Sequence, residues 1–554
     1  MAGFKYFLRR FVPTSVMHLL RFLRIVLWPP TGAIVIRDFV KRIRFDNLLR
    51  DIFAFEQAPM FSGTVLVDAQ WDNPNWWIRY QLLRSALGLR ETKEVAIVGD
   101  YNKFLVRTTL RRMHIEDTSL NDFCGSFDEF ELKAEILLRS VNVSEDLLNL
   151  TLPNQIPNFV LYDWLLKQQT GATVNIAHPK LKTDIATALQ RIDAAQQMFS
   201  NLSPSLVVLS HSVGIESVAI IAAALSANIP IIIGHGEYGI LRYWKVCEMS
   251  DICYLANIPS TRDYDELSDE QENNLFEVGE QYIQQRLKGG SQDLGSRYAF
   301  NDNASLSREG VHDEFGWSDD KPVIAVYSMS WFDYPHIYGD LWFTDPLDWI
   351  SSTIKAISDN TSAHWLLRPH PCDEWYQALN LSDLVPQDMA SHIGLAPLRW
   401  NGSDVLRAVD GLVTLYGTAG IEYASRNKPV LVGVPGWYGR SGFVVCPNSR
   451  DEYLTKLRSR WWDMSTNEIS NRKANIFAGW HFCAPSWQES FVMKDDSEQR
   501  SIYSYAPGML RENKTAMRRE INTVRSWYLQ DDVLGYHSFK MLNTNSYKIP
   551  NILE

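Results

Sequence analysis

Short apolar runs alternate along most of this chain with longer amphipathic stretches, and each run closes on a polar or glycine-rich turn. The runs at 64–67, 95–98 and 159–162 are β-branched or aromatic and end in Asp68, Asp100 and Asp163. Runs of this length and composition predict buried strands, with helices between them, clearest over 185–198. Residues 206–209, the turn Ser210-His211-Ser212-Val213-Gly214, a helical stretch through Ala224 and the run 230–233 read as strand, turn, helix and strand. That order in about thirty residues is one right-handed parallel unit. Runs at 251–255 and 275–278 predict two further strands. A second series opens at 321–327 and continues through 365–367, 412–415 and 429–434, with helical stretches at 450–462 and 513–529. The alternation predicts an α/β protein with two Rossmann-like domains, 59–290 and 321–500, around a Gly-, Ser-, Asn- and Asp-rich linker at 291–320.

The chemistry concentrates between Leu366 and Gly442. The run 412–415 is followed at once by Gly417-Thr418-Ala419-Gly420 and then by a helical stretch. Amides at a helix start are unpaired and lie at the positive end of the helix dipole, so small residues and a hydroxyl there make a seat for phosphate. Glu422, one turn on, is placed to accept from the hydroxyls of a ribose. Arg368, His370 and Pro371 follow the run 365–367, which predicts a guanidinium and an imidazole at the carboxyl edge of a neighbouring strand. Ligands of open α/β sheets sit at that edge.

The motif R-P-H-P, then G-T-A-G-I-E-Y-A-x-x-x-K-P-V-L-V, then W-Y-G-R-S-G resembles the C-terminal domain of the capsule polysaccharide biosynthesis proteins, GT-B glycosyltransferases that include Kdo transferases. The segment Ser328-Met329-Ser330-Trp331-Phe332-Asp333, with Gly339 to Phe343 and Asp348-Trp349-Ile350, is similar to the same family. The resemblance covers 321–443 well and the first half in outline. It implies a GT-B fold, two domains facing each other across a cleft, with a late helix in 501–554 returning to the first domain. The activity it implies is transfer of a sugar, such as Kdo from CMP-Kdo, from a nucleotide donor to a bacterial surface polysaccharide or its lipid-linked precursor. Arg368, His370, Thr418 and the amides beside it would hold the donor phosphate, with Asp333, Tyr438 and Arg440 elsewhere in the cleft. The donor is a substrate, and neither a cofactor nor a metal is called for. The same features suit a CDP-linked polyol-phosphate transferase, a nucleotide-sugar 2-epimerase or a non-catalytic component of capsule assembly or export.

The catalytic base is expected in the first half. His235 stands in Gly234-His235-Gly236-Glu237 directly after the run 230–233, flanked by glycines that keep its approach open. Histidine titrates near neutral pH and suits proton abstraction. His211 and Glu237 compete with it for the role.

The formal net charge of -11 argues against general binding of nucleic acid, which needs clustered cations. The six cysteines show no paired spacing, which fits a reducing, cytoplasmic setting. Residues 1–58 differ from the rest. Within its first fifty residues Lys5, Arg9, Arg10, Arg21, Arg24, Arg37, Lys41, Arg42, Arg44 and Arg50 are interleaved with Phe, Leu, Val and Trp and opposed only by Asp38 and Asp46. Arg21 and Arg24 interrupt the best apolar run and Pro29-Pro30 ends it, so no span is predicted. A basic, aromatic-rich extension suits anionic lipid at the inner face of the cytoplasmic membrane, and the family resemblance implies other capsule assembly proteins as further partners.

Overall fold

The computed structural model describes residues 31–54, 57–70, 73–99, 103–234, 242–253, 258–259, 261–289, 299–300, 306–318, 320–371, 380–385, 389–397, 399–463, 468–483, 502–531 and 533–537. The first sheet contains β1 Thr64–Ala69, β2 Lys93–Val98, β3 Glu116–Thr118, β4 Pro204–Leu209, β5 Ile231–Ile233 and β6 Arg242–Val246. The second contains β7 Val323–Tyr327, β8 His364–Arg368, β9 Ile393–Leu395, β10 Gly411–Thr414 and β11 Val430–Val432. The last strand, β12 Gly535–His537, returns to the first sheet, whose order is β12-β6-β5-β4-β1-β2-β3. The second sheet has the order β11-β10-β7-β8-β9 and all its pairings are parallel. Every residue of β7 and β8 is buried, as expected of parallel strands covered on both faces. The fold is therefore α/β with two Rossmann-like sheets.

By compactness the chain divides into one unit of 1–119, 204–208 and 493–529, and another of 120–203, 209–492 and 530–554. In the first, the helix Thr31–Ile52 is part of the fold. Its Phe45, Leu49 and Ile52 are buried, Arg42 donates to Thr109 at 2.8 Å, and Thr109 donates to Asp46 at 3.0 Å. So the second half of the basic extension meets its own protein, while residues 1–30, where the membrane-facing charges were expected to begin, lie outside the described residues. Among the described residues no helix is long and apolar enough to cross a membrane. The helix Lys514–Tyr528 buries Met517, Ile521 and Val524 at helical spacing, and Arg525 donates to the carbonyls of Ala58 and Ala86 at 3.1 and 2.9 Å.

The second unit corrects three expected strands. Residues 159–162 lie in the helix Asn158–Gln169, because the apolar run continues through Trp164, Leu165 and Leu166 and is buried all round. The run 275–278 lies in the helix Asp269–Leu287, which Ser268 and Gln271 start with a capping box and whose buried positions Leu275, Gly279, Ile283 and Arg286 follow a helical period. Of the run 251–255, residues 251 and 252 belong to a single tight turn, Met249–Ile252, and 254–255 lie outside the described residues. The helix Asp269–Leu287 crosses the helix Glu468–Phe482 at two glycines. A Cβ on Gly279 would stand 1.8 Å from the Asn475 carbonyl, and one on Gly479 would stand 2.1 Å from the Leu275 carbonyl. The end of the expected linker is also structured: the helix Arg308–Phe315 is tied to the second sheet by Arg308 on Asp410 at 2.5 Å.

Candidate active site

Strand register sets the site. Tyr327 on β7 pairs with Arg368 on β8 and with Thr414 on β10, and Thr414 pairs with Val432 on β11. Four strands thus finish in one row, and the loops that leave it begin at Ser328, Pro369, Leu415 and Gly433. Arg368 is buried, its guanidinium 4.8 Å over the Tyr327 ring, and no carboxylate among the described residues forms an ion pair with it. The Tyr327 hydroxyl meets that of Tyr423 at 2.8 Å, which fixes the ring beneath the guanidinium. His370 follows two residues on. Desolvation, and secondarily the Arg368 charge, push its imidazole down to about 4, with Asp333 acting weakly in the other direction. At neutral pH it is therefore an uncharged hydrogen-bonding ring beside a cation.

The Gly417–Gly420 turn lies at the end of β10. Thr414 Oγ1 accepts from the Gly417 amide at 3.2 Å, and the Gly420 amide donates to the Gly417 carbonyl at 2.9 Å. The amides of Thr418 and Ala419 meet no acceptor among the described residues, as at any helix start. The helix they open, Ala419–Ala424, has six residues, so its dipole is short. Glycine at 420 has a packing cause that its spacing hid: a Cβ there would lie 2.1 Å from the Tyr438 hydroxyl, which itself donates to the Gly417 carbonyl at 2.7 Å. Glu422 is buried, and one carboxylate oxygen accepts from Arg286 Nε at 2.5 Å.

The loop after β7 carries three further polar groups. Asp333 pairs with Lys167 at 3.0 Å, and the Lys167 ammonium lies 5.2 Å from the Phe332 ring centroid. Tyr334 holds φ +54° and its hydroxyl stands 3.3 Å from where a Cβ on Gly214 would be, so the turn after β4 approaches this loop. His211, in that turn, has its Nδ1 2.7 Å from Ser210 Oγ. His336 is gripped by one buried carboxylate: its Nδ1 lies 2.6 Å from Asp163 Oδ1 and its amide donates to Asp163 Oδ2 at 3.1 Å. Burial raises the Asp163 pKa and His336 opposes the rise. The Asp163–His336 pair was not expected, and nothing in the sequence links positions so far apart. Of the expected residues, the structure brings Arg368 and His370 together and places the Gly417–Gly420 turn in the same row of strand ends. His235 and Glu237 lie outside the described residues.

Tyr438 and Arg440 lie on the loop after β11, which lines a cavity of about 730 Å³ together with residues from 258–272, 338–340 and 473–476. Trp437 fixes this loop, its indole donating to the Tyr416 carbonyl at 2.9 Å. Among the described residues no three His, Cys, Asp or Glu side chains stand together as a metal ion would need.

No family model and no curated protein matches the chain. Among solved structures it is similar to Thermosulfurimonas dismutans KpsC, described as a beta Kdo 2,4 transferase, at 15% identity and a TM-score of 0.32 over 49% of this chain and 79% of that one. It is also similar to the UDP-GlcNAc 2-epimerase of Neisseria meningitidis, bound to UDP-GlcNAc, at 11% identity and a TM-score of 0.23, covering 82% of this chain and 100% of that one. A third likeness is to a glycosyltransferase from Rickettsia africae, at 12% identity and a TM-score of 0.24 over 83% and 98% of the two chains. Likenesses this slight carry no function.

Proposed function

We propose that this protein is a glycosyltransferase that takes a sugar from a nucleotide-activated donor, with the donor phosphate at the carboxyl edge of the second sheet. What carries the reading is Arg368. It is a buried guanidinium with no ion-pair partner among the described residues, 4.8 Å over the Tyr327 ring in the row of strand ends that includes Thr414. A buried cation without a counter-charge is costly, and an arriving phosphate offsets that cost. Arginine is suited to the task because its donors form a planar fork. His370 adds a neutral N–H donor, and the amides of Thr418 and Ala419 add two more. Glu422 is paired with Arg286 through one carboxylate oxygen, and the other is the one that would accept from a ribose. His235, with His211 and Glu237 as competitors, is the proposed base, and Pro371 belongs with Arg368 and His370 on the donor side. At the finer level the reading is transfer of Kdo from CMP-Kdo to a surface polysaccharide or its lipid-linked precursor, at the inner face of the membrane.

A thermal-shift screen of CMP, CDP, UDP and GDP tests the reading. At a hundred times its Kd the right nucleotide should stabilise the fold by about 2.7 kcal/mol, and the shift should vanish in Arg368→Ala. No shift with any of the four, at millimolar concentration, would refute it.

A further inference from the structure

The cavity beside the loop after β11 holds charged groups that no contact in the protein explains. Asp265 and Asp340 on its walls are exposed carboxylates, and Arg440 and Lys473 are exposed cations. None of the four forms a hydrogen bond or an ion pair among the described residues. Two half-buried rings, Tyr264 and Tyr338, line the same space from different segments. A volume of about 730 Å³ falls in the range of small-molecule sites, about 300 to 1,000 Å³.

These groups restrict the occupant. Ionised carboxylates only accept, so Asp265 and Asp340 require hydroxyl or amine donors. Arg440 and Lys473 only donate and require an anion or several neutral oxygens. An apolar ligand would strip water from all four charges and return nothing. A nucleoside diphosphate would set its phosphates against Asp265, Asp340 and a third wall carboxylate, Glu272, which pairs with Arg472. A sugar ring has hydroxyls for the carboxylates and an apolar C–H face for a tyrosine ring, and one anionic substituent on it would satisfy the cations. The place fits an acceptor, because Tyr438 on the cavity wall reaches the Gly417 carbonyl at the turn assigned above to the donor phosphate.

We propose that this cavity is the acceptor subsite and takes a hydroxyl-rich glycan unit bearing one carboxylate or phosphate group. The proposal rests on the glycosyltransferase reading for the word acceptor, but its binding chemistry can be tested without turnover. Saturation-transfer NMR on the full chain, with glucose, glucuronate and glucose 6-phosphate as probes, measures it directly. At least one charged sugar should bind roughly tenfold more tightly than glucose, the gain expected of a charge-assisted hydrogen bond, and which one wins decides between carboxylate and phosphate. Arg440→Gln with Lys473→Gln should abolish that preference, whereas Asp265→Asn with Asp340→Asn should weaken all three sugars alike. These are surface positions, and a melting curve for each variant confirms that it remains folded. Equal binding of all three sugars, no effect of either pair of substitutions, or displacement of the sugars by CMP or UDP would overturn the proposal. If the sugars bind as expected while no nucleotide shifts the melting curve, the subsite stands and the donor reading falls. If nucleotides bind and the sugars do not, the reverse holds.

Discussion

Arg368 and His370 are two residues apart and face different constraints. Arg368 keeps its charge in any environment a protein offers, so burial forces the surroundings to supply an anion or a ring face, and here Tyr327 supplies the face. His370 can shed its proton instead, and burial beside Arg368 makes it do so, with a pKa of about 4 against an ordinary value near 6.5. In the window between those values the unfolded chain binds the proton and the folded chain does not. Stability should therefore rise with pH from about 4 to about 6.5 on account of this residue, and its full penalty should be present below the folded pKa. Urea unfolding of the wild type and His370→Gln across this window measures the effect. The wild type should lose stability faster than the variant as the pH falls, and parallel losses would show that the imidazole is not held neutral.

At the scale of elements, β1, β2, β4, β5, β7, β8, β10, β11 and the turn after β10 are legible in the sequence because buried parallel strands are continuous apolar runs and small residues mark sharp turns, whereas the short β3, β6, β9 and β12 carry no such run and are not. The helices Asn158–Gln169 and Asp269–Leu287 were misread for a related reason: a buried helix also shows short apolar runs, and only the longer pattern separates the two. Gly420 was read as room for phosphate, whereas its nearest demand is the Tyr438 hydroxyl. The Asp163–His336 pair, the Arg286–Glu422 pair and the cavity were not legible, since each joins segments that only the fold brings together. The N-terminal extension divides in the same way. Its charges suggested one surface segment, but Arg42 and Asp46 are buried in a network with Thr109, and Phe45 meets Tyr503 edge-on at 5.4 Å. A chain starting at residue 31 should melt within a few degrees of the full chain and lose binding to anionic liposomes. A chain starting at residue 54 should lose its cooperative transition, because the buried Phe45, Leu49, Ile52 and Phe53 and a polar network go with it, at about 2 to 5 kcal/mol for each large side chain. Calorimetric melts and liposome sedimentation of the two truncations check both statements, and a normal melt for the shorter one would show that the helix Thr31–Ile52 is dispensable.

In the whole molecule, the proposed donor edge at the ends of β7, β8 and β10 lies one loop from the polar cavity, and the activity proposed for the protein depends first on that edge. Calorimetric titration of the stabilising nucleotide and of its bare nucleoside into wild type and Arg368→Ala tests that claim most directly. A charge-assisted hydrogen bond contributes about 1.5 to 3 kcal/mol, so the variant should bind the nucleotide roughly ten to a hundred times more weakly and leave nucleoside affinity unchanged. Nucleotide affinity at the wild-type level in Arg368→Ala, or an equal loss for nucleotide and nucleoside, would contradict it.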